Sequence, residues 1–506
     1  MSMDYVIAVD IGTQGTKAVI FDREMREVAH AFEKSRLCSP RTGTVWQEAS
    51  DIYGSVIRTI RELMNGGEVD AGQIAALGID SQMAGIMGID REGEAVTVYD
   101  SWLDTRCEVY RRQMARRAGR RMIEVTGGPV TYHHGPKILW WKQEYPDIYK
   151  KISKFVLPHS YVVGKLTGLD SEHSYFDYTA LAYSGFGDNE RKEWSGELLE
   201  MFGLSEEKFA RIVSPFEMVG TLTAEAAARC GLLEGTLVSA GAGDTAASLF
   251  GAGMTGQGEL LDCAGTASVL SGVVDSFSPD TAFETMTMIR APLDGLWYPS
   301  AYINGGGLCL SWFRDHFTGQ LPLSYEELER EAEQVAPGSG GVLFIPHFDG
   351  RVLPNNPYMK GSFLGLNRMH TRAHLYRAVM EGIAYEYSYY LMVLENSYPD
   401  RQFTKMRSIG GGARSELFMQ IKADVCGMDV EALSMTDTAL AGTAVIAGVG
   451  AGLFAGYEEP IQKALQVRLT RHADPSRHEY YQAWAEVYLK AMDALTGIYQ
   501  KEVFRT

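Results

Sequence analysis

An acidic residue near a strand end, a Gly-Thr turn and a returning apolar strand occur twice in this chain, nearly half its length apart. The first copy runs Tyr5-Val6-Ile7-Ala8-Val9, then Asp10-Ile11-Gly12-Thr13-Gln14-Gly15-Thr16-Lys17, then Ala18-Val19-Ile20-Phe21. The second runs Glu259-Leu260-Leu261-Asp262-Cys263-Ala264-Gly265-Thr266 into Ala267-Ser268-Val269-Leu270. Apolar runs of this length joined by a glycine-bearing turn read as hairpins. Self-similarity at such an offset predicts two related halves. Coincidence is the competing explanation, because 54 of the 506 residues are glycine. The boundary is expected in Ala252-Gly253-Met254-Thr255-Gly256, giving domains 1–254 and 255–506. Two domains also suit the length.

Between these landmarks helices and strands alternate, so the class is α/β. Ile52, Val56, Ile60 and Leu63 fall on one face and predict a helix over Asp51–Met64, followed by a strand over Ile74–Ile79. Further helices are expected over His374–Glu395 with Thr371 as N-cap, Ser415–Cys426 closed by Gly427, and Ser476–Leu495. In the last, Tyr480, Tyr481, Trp484, Val487, Tyr488 and Met492 form a stripe read as core. Thr438 to Tyr457 carries no charge and is long enough to span a bilayer, with Gly448, Gly452 and Gly456 at GxxxG spacing. Its Ala/Gly content, and flanks of Asp437, Glu458 and Glu459 without a basic anchor, favour a closely packed soluble helix.

The charge balance narrows the partners. Lys and Arg number 47 against 64 Asp and Glu, a net charge of −17, which argues against a general nucleic-acid or anionic-membrane binder. The arginines at 106, 111, 112, 116, 117, 120 and 121 read as a solvated helix face. Cysteines at 38, 107, 230, 263, 309 and 426 form no CxxC pair, as expected of reduced thiols in a cytoplasmic protein. The N-terminus lacks a basic region before its apolar stretch and does not read as a signal peptide.

Three glycine-rich elements suit a nucleotide. In the first turn, Gly12 lets the backbone approach an anion, while Thr13, Gln14, Thr16 and Lys17 offer donors to phosphate oxygens. Asp10 is an oxygen ligand suited to Mg²⁺, directly or through water. The pattern is neither GxxxxGK[ST] nor GxGxxG, and alone it is equally consistent with a plain hairpin. Gly265 and Thr266 make the same offer from the second half. Ile409-Gly410-Gly411-Gly412-Ala413-Arg414-Ser415 follows the strand Lys405–Ile409 and opens a helix. There Gly411, Gly412, Ala413 and Ser415 allow a flat base and ribose to lie against the backbone near a helix N-terminus. Leu237-Val238-Ser239-Ala240-Gly241-Ala242-Gly243-Asp244 carries a buried strand to an acid. That acid suits a general base, although as an isolated motif it reads first as a helix N-cap.

Together these residues resemble the FGGY carbohydrate kinases over almost the whole chain. Gly361-Ser362-Phe363-Leu364-Gly365-Leu366, seven residues, His374-Leu375, two residues and Ala378-Val379-Met380-Glu381 fit that family's C-terminal signature. Tyr132 through Lys137-Ile138-Leu139-Trp140 is similar to the N-terminal signature, with His134 and Trp141 departing from it. Within the family the chain looks most like the xylulose kinases. Gln82-Met83 stands where they have Gln-Met-His-Gly, with Ala84 in place of the histidine. Trp102 and Asp104 match Trp-Asn-Asp, with Leu103 in place of the asparagine.

The resemblance implies two ribonuclease-H-like domains of the actin type around a cleft that binds MgATP. It implies a sugar against Gln82, Met83, Ala84, Trp102, Asp104 and Tyr132, and Asp244 as general base. A ketopentose such as D-xylulose is the expected substrate. The lost histidine keeps ribulose, L-xylulose, erythritol or another polyol, and gluconate open, because hydroxyl recognition needs paired polar groups. Partners are expected to be the small sugar, with no nucleic acid or membrane, and a homodimer is left open. An actin-like or heat-shock-type ATPase shares the phosphate turns but needs neither the Gln82-Met83 strand nor the Gly361–Glu381 signature. A sugar-binding regulator without catalysis would not need Asp10 and Asp244 together.

Overall fold

The computed structural model describes residues 3–317, 319, 323–435 and 437–501. In the first half, β1 (Tyr5–Ile11), β2 (Gly15–Asp22), β3 (Glu27–Lys34), β4 (Ile74–Ser81), β5 (Met218–Thr221) and β6 (Leu237–Ser239) build one sheet in the order β5-β6-β4-β1-β2-β3. In the second, β7 (Glu259–Ala264), β8 (Ser268–Gly272), β9 (Thr287–Arg290), β10 (Trp297–Ile303), β11 (Lys405–Ile409), β12 (Asp429–Leu433) and β13 (Val467–Arg471) follow the order β9-β10-β8-β7-β11-β12-β13. Both sheets repeat one plan. The first strand pairs antiparallel with the second and parallel with the fourth, and an antiparallel strand closes that side. β9 is an extra edge strand of the second half. This is the two-domain actin- and hexokinase-like arrangement, and the duplicated turns mark its two copies.

The helices that matter below are α1 (Ala49–Gly66), α2 (Glu108–Thr126), α3 (His134–Glu144), α4 (Asp244–Gly251), α5 (Gly306–Phe317), α6 (Arg372–Ser397), α7 (Glu416–Cys426), α8 (Thr438–Gly450) and α9 (Pro475–Tyr499). α1 buries Ile52, Val56, Ile60 and Leu63, as their spacing requires. On α9 the stripe is narrower than its sequence suggests. Tyr481, Tyr488 and Met492 are buried, but Tyr480 and Val487 are 47% and 46% exposed. A twenty-five-residue helix turns those two positions away from α6, whose Glu381 and Glu386 meet Tyr481 and Tyr488. The arginine-face reading holds for Arg112, Arg116, Arg117, Arg120 and Arg121, which are exposed on α2. It fails for Arg111, largely covered beside Glu108, and for Arg106, which precedes the helix and pairs inward with Asp100 and Asp104.

The signature helix α6 is architectural. The buried Glu381 carboxylate accepts from Gly338 N–H at 3.0 Å, Ser339 Oγ at 2.7 Å, Arg377 Nε at 2.8 Å and Tyr481 Oη at 2.7 Å. Glu386, a turn further, accepts from Arg351 and Tyr488. Two buried carboxylates thus pin α6 to α9 with every contact charge-assisted.

α8 belongs to the second half of the sequence yet packs on β1 and β4 of the first sheet and across α4. Among the described residues no helix is long and apolar enough to cross a membrane. α8 ends at Gly450, so the GxxxG spacing does not continue along one helix: Gly452 adopts a φ of 75°, and Gly448 packs beneath Phe454. The close crossing runs instead through Gly442 and Gly251, where an added Cβ would collide with the Ala247 and Thr438 carbonyl oxygens. Gly442→Val therefore forces the helices apart. We expect a loss of about 1–3 kcal/mol, read as a lower denaturation midpoint; an unchanged midpoint would contradict this crossing.

Candidate active site

Strand register brings three acids together. β1 and β4 run parallel with Asp10 opposite Asp80 and Ile11 opposite Ser81. One residue on, Gln82 N–H donates to Ile11 O at 3.0 Å, and Ser81 forms a parallel bridge with Gly243. The C-terminal ends of β1, β4 and β6 thereby deliver Asp10, Asp80 and Asp244 to one place. Asp80 was not singled out by sequence; its signal is an acid closing a buried strand just before Gln82-Met83.

Asp80 is buried, and its Oδ2 accepts the Thr443 hydroxyl of α8 at 2.6 Å. Asp10 and Asp80 lie within hydrogen-bonding reach of each other, and Oδ1 of each is buried without a donor. Two carboxylates this close disfavour ionising together. Burial, then the Asp10 charge, pushes Asp80 well above the usual carboxylate range. Burial also raises Asp10, opposed by the Asp80 hydrogen bond and by Lys17. Asp244 opens α4. Burial and then the Asp10 charge push it up to about 7, against Thr245, whose N–H donates at 2.6 Å and hydroxyl at 3.1 Å.

The first turn touches both the acids and the prospective sugar wall. An added Cβ at Gly12 would lie 3.5 Å from the Asp10 carboxylate, so its absence keeps that carboxylate open. Thr13 Oγ1 donates to Gln82 Oε1 at 3.2 Å and accepts Trp102 Nε1 at 2.8 Å. Gln14 is exposed, and its carbonyl accepts Ser35 N–H. Lys17 Nζ reaches Asp437, the N-cap residue of α8, at 2.6 Å. Thr16 corrects the sequence reading. Its side chain is 2% exposed and its hydroxyl meets Ser55 of α1 at 2.7 Å. Alternation along β2 puts Thr16 on the α1 face and Lys17 on the other, so Thr16 does not reach a phosphate at the turn.

In the second half the loops abut. Gly307 and Leu308, at the start of α5, donate their N–H groups to Gly265 O and Thr266 O at 3.0 Å. Thr266 is exposed. Gly410 adopts φ 87° and ψ −172°, open only to glycine, with its α-carbon against Ala264. Of the three glycines, Gly412 also packs on Ala264, and Gly411 alone faces open space. Ala413 is buried, and Ser415 Oγ caps α7 by accepting Phe418 N–H at 3.0 Å. Burial, then the Asp262 and Asp244 charges, raises Cys263.

Asp262 has a different part from Asp10. Aligned on their Gly-Thr turns, Asp10 corresponds to Cys263, and Asp262 lies one residue earlier. One residue reverses the face of a strand. Asp262 accordingly points into the second domain, where it pairs with buried Lys422 and accepts from Tyr387 Oη and Ser408 Oγ at 2.6 Å.

Along the prospective sugar wall, Gln82 is buried and donates to Gln47 at 2.7 Å. Met83 packs its thioether against Gly243, and Ala84 adopts a φ of 61°. Trp102 is 42% exposed. The Asp104 carboxylate is engaged by Val45 N–H at 2.8 Å and by the Arg106 guanidinium at 2.7 Å. Tyr132 is half-buried beside Arg111 and Glu108, its carbonyl accepting Lys137. Tyr99, also missed by sequence, places a buried, unpartnered hydroxyl under Gly85, with the Asp244 charge near it.

The donor set fits a hard divalent cation. Asp10 offers an orphaned carboxylate oxygen, and among the described residues no group of three or more His, Cys, Asp or Glu side chains forms a self-sufficient cage. Mg²⁺ that keeps waters and borrows phosphate oxygens needs only one or two carboxylates.

A two-domain α/β fold with nucleotide-type turns and converging acids defines a phosphotransferase of the actin-like class. The sequence matches the N-terminal domain of the FGGY family of carbohydrate kinases over residues 5–251 and its C-terminal domain over 263–451. The chain belongs to that family and is an ATP-dependent sugar kinase. It is 27% identical over 489 residues to the xylulose kinase of Bacillus subtilis strain 168, covering 96% of each chain. It is 28% identical over 439 residues to the gluconokinase of the same organism, covering 84% of this chain and 83% of that one. A ligand-bound xylulose kinase from Lactobacillus acidophilus superposes with a TM-score of 0.90 at 23% identity, over 98% of this chain and 99% of that one.

The Asp244 environment has a thermodynamic signature. Its carboxyl ionises near pH 4 when unfolded but about 7 when folded, so between these values folding retains a proton and stability falls as pH rises. Asp244→Asn should therefore raise the denaturation midpoint relative to the parent at pH 8 by a few kcal/mol equivalent and scarcely at pH 4. An equal effect at both values would show that Asp244 is not buried against Asp10.

Proposed function

We propose that this kinase phosphorylates a small neutral sugar, a ketopentose such as D-xylulose, with Asp244 as general base. The observation that carries the reading is Asp244 at the head of α4, beside Asp10 and poised at about 7, where a carboxylate can take and release a proton at neutral pH.

The sugar lies against Gln82, Met83, Ala84, Trp102 and Tyr132, with Asp104 shaping the wall through Arg106. Gly12, Thr13, Gln14 and Lys17 hold phosphate oxygens from one side, and Gly265 and Thr266 from the other. Lys17 exchanges Asp437 for phosphate. The adenosine rests on Gly411, Gly412, Ala413 and the Ser415 turn. Asp244 takes the proton of the attacking hydroxyl as its oxygen bonds to the γ-phosphorus and the bond to the bridging oxygen of ADP breaks. Mg²⁺ at Asp10 supplies charge neutralisation on the phosphate oxygens. Positioning and charge compensation account for most catalysis of this type.

A neutral sugar is favoured over gluconate because the cations beside the wall are engaged. Arg106 is held by Asp100 and Asp104, Arg111 by Glu108, and Lys137 by the Asp104 and Tyr132 carbonyls.

The test is ADP release with MgATP over D-xylulose, L-xylulose, D-ribulose, L-ribulose, erythritol, glycerol, gluconate and a sugar-free blank. D-xylulose should give the highest kcat/KM. Gluconate in first place would overturn the neutral-sugar reading, and a blank equal to every sugar would favour an ATPase. Asp244→Ala should lower kcat by roughly 10²–10⁴-fold in a folded protein, the scale of a lost base; unchanged kcat removes Asp244 from the mechanism. Asp10→Ala should raise the Mg²⁺ concentration needed for half-maximal rate, and identical Mg²⁺ titrations of mutant and parent would refute its role.

A further inference from the structure

A buried polar circuit ends on the backbone amide immediately before Asp244. It begins at Ser81, the last residue of β4, which is 1% exposed; His159 and Asp177 are 0% exposed. Ser81 Oγ accepts the His159 backbone N–H at 3.3 Å and lies 2.6 Å from His159 Nδ1. With Nδ1 as acceptor of the serine proton, the ring proton sits on Nε2. That nitrogen lies 3.1 Å from Asp177 Oδ2 in an ion-pair contact without hydrogen-bond geometry, and neither atom makes a hydrogen bond. Asp177 Oδ1 accepts Thr179 N–H at 2.9 Å together with the Thr179 hydroxyl. The Thr179 oxygen, its proton committed to Asp177, accepts Gly243 N–H at 3.0 Å. The circuit closes because Gly243 is the bridge partner of Ser81, whose N–H reaches Ala242 O at 3.3 Å.

The arm from Asp177 through Thr179 to the Gly243 amide has one consistent donor–acceptor assignment, which makes it directional and stiff. A second tie comes from the short strand Tyr175–Asp177 that carries Asp177: Tyr175 Oη donates to Ala240 O at 2.8 Å, so Ala240–Gly243 is held at both ends. A serine, histidine and aspartate in contact suggest nucleophilic chemistry, but the serine is closed to any ligand here. What the circuit does is hold a peptide.

We propose that Thr179, oriented by Asp177 and His159, is a positioning residue for the transfer step: it fixes the Gly243 amide and thereby the direction in which the Asp244 carboxylate meets the sugar hydroxyl. This rests on Asp244 being the base. Misplacing a base by a fraction of an ångström slows the chemical step while leaving substrate contacts intact, so the effect belongs in kcat and not in KM.

The experiment compares Thr179→Val, which keeps the shape and removes the hydroxyl, with Thr179→Ser, which keeps the hydroxyl, in sugar-dependent ADP release. Thr179→Val should lose about 10–100-fold in kcat with both KM values within about twofold of the parent, and Thr179→Ser should recover most of the rate. Parental kcat in Thr179→Val, or a serine variant as slow as the valine one, overturns the proposal. Should circular dichroism show Thr179→Val unfolded, Ser81→Ala takes its place. It removes the far end of the circuit and should lower kcat several-fold at constant KM; parental kcat there also overturns the proposal. Asp244→Asn is assayed alongside. An inactive Asp244→Asn with a parental Thr179→Val refutes the positioning claim alone, whereas a fully active Asp244→Asn removes the base and this inference with it.

Discussion

Three parallel strands ending at one point set the terms for everything else in this protein. β1, β4 and β6 carry Asp10, Asp80 and the Gly243-Asp244 turn to their C-terminal ends, and the register leaves the acids no room to separate. Like charges crowded in a dry place cannot all ionise. The surrounding structure answers this crowding with the Thr443 hydroxyl from α8, the Lys17 cation and the Thr245 amide, while Asp80 is pushed well above the usual carboxylate range. The tension that remains keeps a carboxylate titrating near neutrality, where a fully solvated one would be inert as a base.

The two halves share strand order but have divided the work. Their Gly-Thr turns correspond, yet the acid in the second half is displaced by one residue and faces the interior. There, Asp262 and Lys422 form a fully buried pair supported by Tyr387 and Ser408. Breaking such a pair by removing one partner strands a charge, so it binds α7 to the sheet beneath the adenosine-type loop. α8 then carries the second half back onto the first sheet, so the helix contacting Asp80 belongs to the half that bears the Gly410 loop. Movement of one half relative to the other cannot leave the acids untouched.

Much of this was legible in sequence. The duplicated turn gave away the repeat, apolar spacing predicted α1, the strand Lys405–Ile409 was expected ahead of the glycine run, and Gly427 marked the end of α7. What sequence could not give was direction. Thr16 and Lys17 are neighbours in a donor-rich turn, but pleating sends one to α1 and the other to Asp437. Asp80 sat unremarked because a lone acid in an apolar strand has no motif. The Ser81–His159–Asp177–Thr179 circuit was invisible because its members are up to 98 residues apart and meet only through packing. Asp104 carried a resemblance to sugar-facing acids, but its bonds to Val45 and Arg106 depend on a β-strand and a helix entry that no local pattern announces.

The most direct test of the account is a crystal structure of the protein with a non-hydrolysable ATP analogue, Mg²⁺ and its best sugar. The account predicts one sugar hydroxyl within about 2.6–3.2 Å of the Asp244 carboxylate and in line with the γ-phosphorus. A sugar bound with every hydroxyl remote from Asp244, and another side chain facing the attacking oxygen, would contradict it.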